Sequence, residues 1–360
     1  MTRQGIDSLG QSKVASTIGT VIASFMVGLL LTMPVNADII AGKQAMQEER
    51  YKDAIKLFGP DLPTPSTSFE AHLQTGKAFL SLGNAKDALT YLNNAVGLNE
   101  LHADALYTWA MAKGELAEQA GIFSAFGHIK DARKAFEKVV QLDTHHLAGR
   151  RALIDFFAIA PGMVGGDKKR AMREVEELKK LNREKGLVAQ AAVFQAMDKT
   201  DIALSSYGDI IAEFPLNMEA LFNRGLMHRD MKNYEAAFSD FEALIEVSEI
   251  QQGDLLEAKK MHRLGQYFFG SVASRSAQNS AKGIQFLEAY LEAGLFGEPF
   301  RKGFAEYYLA TLYMEQNNLD YAQELAGRAK QSSDDKSLKR LLKKMHKKLR
   351  KIKKANSKKA

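Results

Sequence analysis

The 360-residue sequence contains no cysteine, and this absence excludes several kinds of chemistry. Disulfide frameworks, thiolate nucleophiles and thiolate zinc sites all require cysteine side chains. Hydrophobic residues make up 46% of the chain, enough to bury a large core, but they are spread in short helical patterns. We therefore expect one elongated domain or two smaller ones, without cysteine chemistry.

Long hydrophobic runs are also lacking, with one exception at the N-terminus. Residues 14–33 form an apolar run that follows Arg3 and Lys13 and precedes Pro34-Val35-Asn36-Ala37. A basic start, an apolar centre and small residues at the end are the three parts of a secretory signal, so we predict a signal peptide over residues 1–37, cleaved after Ala37. The alternative is an uncleaved membrane anchor, because the run nearly spans the roughly 30 Å of bilayer hydrocarbon. Both alternatives place the bulk of the chain outside the cytoplasm.

Catalytic motifs are a third absence. The sequence has no Ser-His-Asp elbow, no metalloprotease helix motif and no dinucleotide fingerprint. Its one adjacent histidine pair, His145-His146, lies at Asp143-Thr144-His145-His146 after a predicted second helix, and adjacent residues on a helix point about 100° apart, so we interpret the pair as a turn and not as a metal site. The acidic pairs Glu48-Glu49 and Glu176-Glu177 lie beside Lys or Arg and are interpreted as solvated helix faces. We therefore predict no enzymatic activity, no cofactor and no metal.

Charge is distributed unevenly along the chain. Residues 336–360 contain thirteen Lys or Arg and no acid, so the formal net charge of +6 divides into +13 for this segment and −7 for the rest. The basic isoelectric point of the protein is therefore a property of its C-terminal segment.

Apolar and small residues recur at fixed spacings over most of the chain. The clearest unit contains Leu221, Gly225, Tyr234, Ala237, Phe241 and Leu244. These intervals resemble the tetratricopeptide repeat, a 34-residue pair of antiparallel helices in which small residues allow close approach and large ones fill the gaps. Comparable spacings begin at Gly42, Gly76, Ala203 and Leu309.

Three weaker units, with extra residues between their two helices, fill the intervals between the clear ones. Together the units predict an all-α, right-handed superhelical solenoid of about eight tetratricopeptide helix pairs over residues 38–330, with no strand. Residues 331–360 are predicted to form a basic capping helix and a tail that frays beyond Ile352. Ser332, Ser333 and Asp335 are suitable N-cap residues for this helix, and an apolar stripe from Leu338 to Leu349 is expected to cover the last repeat.

The resemblance implies a concave groove, lined by the first helix of each pair, that binds a peptide or helix of a partner protein. Counting from the packing positions gives eight candidate groove residues: Tyr107, Met111, Arg151, Asp155, Phe222, Leu226, Arg229 and Tyr307. Aromatic and arginine side chains typically supply much of the binding energy at protein interfaces. The alternative to a binding role is that several of these eight residues belong to the core between repeats. The Lys, Asn and Arg set with which some family members hold a chaperone's C-terminal carboxylate is not present at the aligned positions.

The basic C-terminal helix supplies a second function class. Its candidate residues for an anionic membrane surface or cell-wall polymer are Lys339, Arg340, Lys343, Lys344, Lys347, Lys348, Arg350 and Lys351. Basic residues near an anionic membrane contribute on the order of 1 kcal/mol each. The alternative is a solubilising cap without a binding role. We expect neither a nucleic-acid partner nor a small-molecule substrate, because no aromatic stacking platform accompanies the charge and no catalytic constellation is present.

Residues 160–171, APGMVGGDKKRA, place three glycines before a basic segment. A nucleotide-binding phosphate loop would follow a strand and end in Gly-Lys-Ser/Thr, whereas here a helix precedes the glycines and Asp167 intervenes. We therefore interpret the segment as an enlarged turn in which Asp167 caps the next helix. It resembles the Ala-Pro-x-x-x-Gly-Gly turn of a subset of secreted tetratricopeptide proteins of Gram-negative bacteria. This resemblance implies a periplasmic location.

Overall fold

A computed structural model of the protein describes residues 37–63, 68–250, 255–294, 299–333 and 335–357. Within these residues the chain forms seventeen α-helices and two short 3-10 helices, and it has no strand. The helices are α1 (Ala37–Gln47), α2 (Tyr51–Phe58), α3 (Ser68–Ser81), α4 (Ala85–Leu98), α5 (Ala103–Gln119), α6 (Ile122–Leu142), α7 (Leu147–Ile159), α8 (Lys168–Leu181), α9 (Arg183–Ala196), α10 (Thr200–Glu213), α11 (Met218–Asp230), α12 (Tyr234–Ile250), α13 (Leu255–Ser276), α14 (Ser280–Glu292), α15 (Pro299–Glu315), α16 (Leu319–Ser332) and α17 (Lys336–Asn356).

The helices pack as a linear array. Each one lies mainly against the helices that precede and follow it, and first helices of successive pairs also touch, as α7 does with α9 and α13 with α15. This nearest-neighbour pattern is that of a helical solenoid, which confirms the predicted fold class. The helices α1–α16 follow one another as eight pairs, although how many of these are complete tetratricopeptide repeats stays a prediction.

Small residues hold the two helices of a pair close together, as the repeat spacing predicted. A Cβ added to Gly225 in α11 would lie 2.8 Å from the ring of Phe241 in α12, and one added to Gly42 in α1 would lie 2.2 Å from the ring of Phe58 in α2. Both phenylalanines are fully buried. Burial of one such ring contributes about 3–5 kcal/mol relative to alanine, so each glycine–phenylalanine contact fixes its pair.

The enlarged turn between α7 and α8 has the structure that residues 160–171 predicted. Helix α7 ends at Ile159, and Asp167 caps α8 by accepting hydrogen bonds from the backbone N–H groups of Lys169 and Arg170. Gly165 has a left-handed φ of 103°, a conformation that costs other residues energy. Because the Asp167 carboxylate already occupies the amides of the first turn, the phosphate-loop alternative is not supported.

Helix α17 packs its apolar stripe onto the end of the array. Asp335 caps it through the backbone N–H of Leu338, and Leu338, Leu342, Met345 and Leu349 are buried. These contacts confirm the capping role. The helix continues to Asn356, four residues past the predicted fraying point at Ile352, and Lys353 Nζ in its last turns lies 2.8 Å from Asp320 Oδ1 on α16.

A long-range contact joins the first helix pair to the seventh. Arg263 Nη2 on α13 lies 2.8 Å from Glu49 Oε2, in the turn between α1 and α2, although 214 residues separate them. The two side chains are only 17% and 4% exposed. The solenoid therefore curves far enough for its first and seventh helix pairs to meet.

The predicted signal peptide and its membrane-anchor alternative cover residues 1–37, of which the structure describes only Ala37. In the described part of the chain, no helix combines the length and the hydropathy needed to cross a bilayer.

Candidate partner-binding groove

A polar network occupies the middle of the groove. Arg151 Nε on α7 lies 3.0 Å from Asp155 Oδ1 one turn later, and Arg151 Nη2 lies 2.6 Å from Glu219 Oε1 on α11. Helix α9 lies between α7 and α11 in the chain order of the array, so the arginine side chain reaches past α9 to Glu219. The network therefore links the fourth and sixth pairs directly.

Burial and neighbouring charges have opposite effects on the pKa values of Arg151 and Asp155. Burial works to lower the pKa of Arg151, but the charges of Asp155 and Glu219 outweigh it, so the guanidinium pKa lies above its ordinary value. Burial raises the pKa of Asp155, and Arg151 opposes that shift only in part. Arg151 consequently stays charged at neutral pH and positions two carboxylates in the groove.

Tyr107 borders this network at the third pair. Its ring centroid lies 5.3 Å from that of His146 and 6.0 Å from that of Phe136. Burial raises the pKa of Tyr107, and the charges of Asp155 and Asp104 add to the shift. The structure thus brings together three of the predicted residues, Tyr107, Arg151 and Asp155. Met111, one turn further along α5, is 44% exposed.

Aromatic rings form the second part of the groove. Phe222 on α11 has its ring centroid 5.4 Å from that of Phe268 on α13, and the guanidinium carbon of Arg229 lies 5.2 Å from the centroid of the same ring. Phe222, Leu226 and Arg229 are all half-buried and share one face of α11. Tyr307 on α15 is also half-buried, with its ring 5.6 Å from that of Tyr308.

Sequence reasoning missed three residues that complete this aromatic part. The groove candidates did not include Phe268 or Arg275 on α13, or Arg301 on α15. The guanidinium carbon of Arg301 lies 5.7 Å from the ring centroids of both Tyr267 and Phe268, and that of Arg275 lies 5.9 Å from the ring of Tyr308. In the sequence, the one indication of this aromatic cluster is the adjacent pair Tyr267-Phe268.

The predicted turn histidine has a structural role. His146 Nδ1 accepts a hydrogen bond from the backbone N–H of Gly149 and so caps α7, while Nε2 lies 3.0 Å from Asp104 Oδ1. Over the ranges that the structure describes, no group of three or more His, Cys, Asp or Glu side chains has an arrangement that could hold a metal ion.

The eight basic residues predicted on α17 are all exposed. The apolar stripe of the same helix is buried against the solenoid, so it cannot insert into a bilayer while the helix is docked. Any attraction of the docked helix to an anionic surface has to be electrostatic.

Comparisons with known proteins identify the fold. No family model and no curated protein matches the sequence. Among solved structures, a tetratricopeptide repeat protein from Parabacteroides merdae is similar at 11% identity and a TM-score of 0.51, over 77% of this chain and 98% of its own. A monomeric mutant of IFIT1 with m7Gppp-AAAA is similar at 13% identity and a TM-score of 0.54, over 87% of this chain and 72% of its own.

A chain of the APC/C hetero-tetramer Cut9–Hcn1 is also similar, at 12% identity and a TM-score of 0.50, over 85% of this chain and 55% of its own. At such identities the likeness concerns the fold and not the function. The linear helix pairs, the glycine–phenylalanine contacts and these similarities agree that the chain has the tetratricopeptide-repeat fold.

Proposed function

We propose that this chain is a non-enzymatic scaffold that binds a segment of a partner protein in its concave groove. The observation that carries the proposal is the alignment of half-buried aromatic and arginine side chains on the first helices α5, α7, α11, α13 and α15. Such side chains supply most of the binding energy at protein interfaces because they combine large contact area with directed hydrogen bonds.

A periplasmic location is part of the proposal. The charged start, apolar run and small residues over residues 1–37 support it, as does the resemblance of residues 160–171 to a turn of secreted tetratricopeptide proteins. Envelope proteins of Gram-negative bacteria are therefore the partners to test first.

Site-specific cross-linking can test the groove because the chain has no native cysteine. A photo-reactive maleimide attached to a Met111→Cys variant reports on the groove. The matched control is Ile202→Cys, because Ile202 is 49% exposed but lies on α10, a second helix. We expect the Met111 probe to cross-link one defined envelope protein, and we expect Phe222→Ala to reduce that product.

The control position decides how the result is interpreted. Cross-linking of the same proteins from both positions, or a product that Phe222→Ala leaves unchanged, would contradict binding in the groove. Circular dichroism of each variant has to match that of the parent chain, because Phe222 also packs against the core.

The basic face of α17 supports a second candidate function, attachment to an anionic membrane surface or cell-wall polymer. Its supporting observation is the set of exposed Lys and Arg residues opposite a buried apolar stripe. Because the apolar side is not available, this attachment should weaken steeply as salt shortens the Debye length from about 30 Å at 0.01 M to about 8 Å at 0.15 M.

Charge substitution tests this candidate better than deletion, because deletion would uncover the core beneath Leu338 and Leu342. We expect a Lys343→Gln, Lys347→Gln, Arg350→Gln variant to sediment less with anionic vesicles at 0.01 M salt than the parent chain does. The control is Lys56→Gln, Lys86→Gln, Arg173→Gln, which removes the same charge from exposed positions elsewhere. Equal loss in both variants would contradict a role for α17.

A further inference from the structure

We propose that a cavity beside the enlarged turn binds an anionic amphiphile, a small molecule with a carboxylate head group and an apolar chain. The cavity lies between the second helix α6 and the short 3-10 helix Gly162–Val164 of the turn that follows α7. None of its lining residues is among the eight candidate groove residues. The inference therefore goes beyond the proposed groove function and does not depend on it.

Two additional segments of neighbouring units build this cavity. Helix α6 has 21 residues, whereas the second helices α4 and α8 have 14 each. When the buried Ala132 of α6 is aligned with Ala88 of α4 and Ala171 of α8, the additional residues are the first turns of α6, which carry Phe126. The enlarged turn carries Met163, and both side chains line the cavity. Insertions in a repeat array often form its binding face, because the repeat packing itself does not require them.

The size and lining of the cavity fit an amphiphile. Its volume is about 530 Å³, within the range of about 300–1,000 Å³ that is typical of small-molecule sites. Of the seven described residues that line it, Lys130 and Arg133 are basic and none is acidic. Phe126 and Met163 supply apolar surface and are 37% and 83% exposed. An apolar chain can cover these two side chains while an anionic head group meets the basic ones.

The Arg133 guanidinium lacks hydrogen-bond partners within the described chain. Its Nη1 lies 3.7 Å from Glu137 Oε1, too far for a hydrogen bond, and Arg170 Nη1 lies 2.9 Å from that same oxygen. Arg133 Nε is buried and has no partner. The side chain is 25% exposed, so a head group in the cavity can accept hydrogen bonds from the terminal guanidinium nitrogens.

Lys130 supplies the second positive charge. It is exposed on α6, three positions before Arg133, and it makes no ion pair with any residue that the structure describes. The nearby Asp131 is paired with Lys113 on α5, with Oδ2 3.0 Å from Nζ. The ammonium group of Lys130 is therefore available to an anion in the cavity.

The turn favours a carboxylate over a phosphate. Phosphate sites typically use free backbone amides at a helix N-terminus. Here the amides of Lys169 and Arg170 donate to Asp167, and those of Gly165 and Gly166 donate to carbonyl oxygens within the turn. The two basic side chains are left as donors, which suits a head group with a single charge, and octyl phosphate serves as the opposing arm of the test.

The test is a titration of the purified chain, labelled with ¹³C at its methionine methyl groups and followed by NMR. The probes are octanoate, octan-1-ol, which lacks the charge, and butyrate, which lacks most of the chain. We expect octanoate to shift the Met163 methyl resonance. Those of Met111 in the groove and Met231 in another inter-helix turn, 44% and 51% exposed, should stay in place. Octan-1-ol and butyrate should each bind this site at least tenfold more weakly than octanoate does.

Matched variants separate the cavity from general charge effects. Lys130→Gln should weaken octanoate binding about tenfold, the effect of one lost charge-assisted contact. Lys134→Gln, which removes the same charge from an exposed position one turn later on α6, should leave the affinity unchanged within twofold. Arg133→Lys, which keeps the charge but not the planar fork, and Phe126→Ala, which removes apolar surface, should each weaken binding as well. Unshifted Met111 and Met231 resonances show that each variant is folded.

Four outcomes would overturn the inference. They are a Met163 resonance that octanoate leaves in place, equal affinity of octanoate and octan-1-ol, equal loss in Lys130→Gln and Lys134→Gln, and octyl phosphate binding tenfold more tightly than octanoate. Each of these results would leave the proposed groove function intact, because Met111 cross-linking and Phe222→Ala test that function on other helices.

Discussion

Substituting Gly166 by alanine should destabilise the turn between α7 and α8, although the change adds a single methyl group. A Cβ at this position would lie 1.7 Å from the backbone oxygen of Ala160. Contacts of real Cβ atoms essentially never fall under 3.0 Å, so the turn has to open by about 1.3 Å. Gly162 in the same turn is the matched control, because a Cβ there would meet no atom within 4 Å.

The magnitude follows from the contacts that the opening would break. The backbone N–H of Gly166 donates to Pro161 O at 3.1 Å, and that of Asp167 donates to Phe157 O at 2.9 Å. Each hydrogen bond contributes about 1 kcal/mol, and the Asp167 cap contributes about 1 kcal/mol more. Gly166→Ala should therefore cost roughly 2–4 kcal/mol locally, whereas Gly162→Ala should be neutral or slightly stabilising because it restricts the unfolded chain.

Hydrogen exchange followed by mass spectrometry can measure this difference. A loss of 2–4 kcal/mol raises the exchange rate of protected amides by roughly 30- to 1,000-fold. We expect the increase in the peptide that contains the first turn of α8, while peptides from α1–α4 stay unchanged because a solenoid transmits little strain beyond neighbouring repeats. Equal exchange in Gly166→Ala and Gly162→Ala would refute the close contact on which the reasoning depends.

Three further predictions concern other contacts. Arg263→Met should lower the free energy of unfolding, measured in urea, by about 3 kcal/mol, because it leaves the Glu49 carboxylate buried without this arginine. Adding Glu49→Gln to Arg263→Met should restore part of that loss. If the free-energy losses of the two single variants simply add in the double variant, the contact between the first and seventh pairs is contradicted. Burial lowers the pKa of His72 in the folded chain, so in the unfolded chain this histidine binds a proton at a higher pH than in the folded chain. The protein should therefore lose stability as the pH falls below about 6.5. His72→Gln should lose less stability between pH 7.5 and pH 5.5 than the parent chain does, as measured by unfolding in urea. Asp335→Ala should destabilise α17 by about 1 kcal/mol through loss of its cap, and Asp335→Asn, which keeps an acceptor oxygen, should not.

Much of the fold could be predicted because repeat contacts are local. Gly225 and Phe241 lie sixteen positions apart in the sequence, within one repeat, so their spacing directly specified a helix pair. The caps were equally accessible, since a capping side chain bonds only to amides two or three residues ahead, as Asp167 does. The contact of Lys353 with Asp320 near the end of α17 could not be predicted, because it depends on how α17 lies against α16.

The candidate groove could be predicted only in part. The repeat register gave Phe222, Arg229 and Arg151, because first-helix positions are fixed within each unit. It did not give the partners of these residues. Glu219 joins Arg151 across α9, and Arg301 joins Arg229 at Phe268, through contacts between different repeats.

The sequence by itself determined the helix pairs, their small-to-large contacts and the separation of a basic C-terminal helix from an acidic body. The tertiary structure alone decided that Glu49 meets Arg263 and that three arginines gather around Phe268 and Tyr308. The physical reason is that each pair adds a small rotation set by side-chain packing at its interfaces. Local spacing fixes the pair, but only the sum of these rotations places distant side chains together.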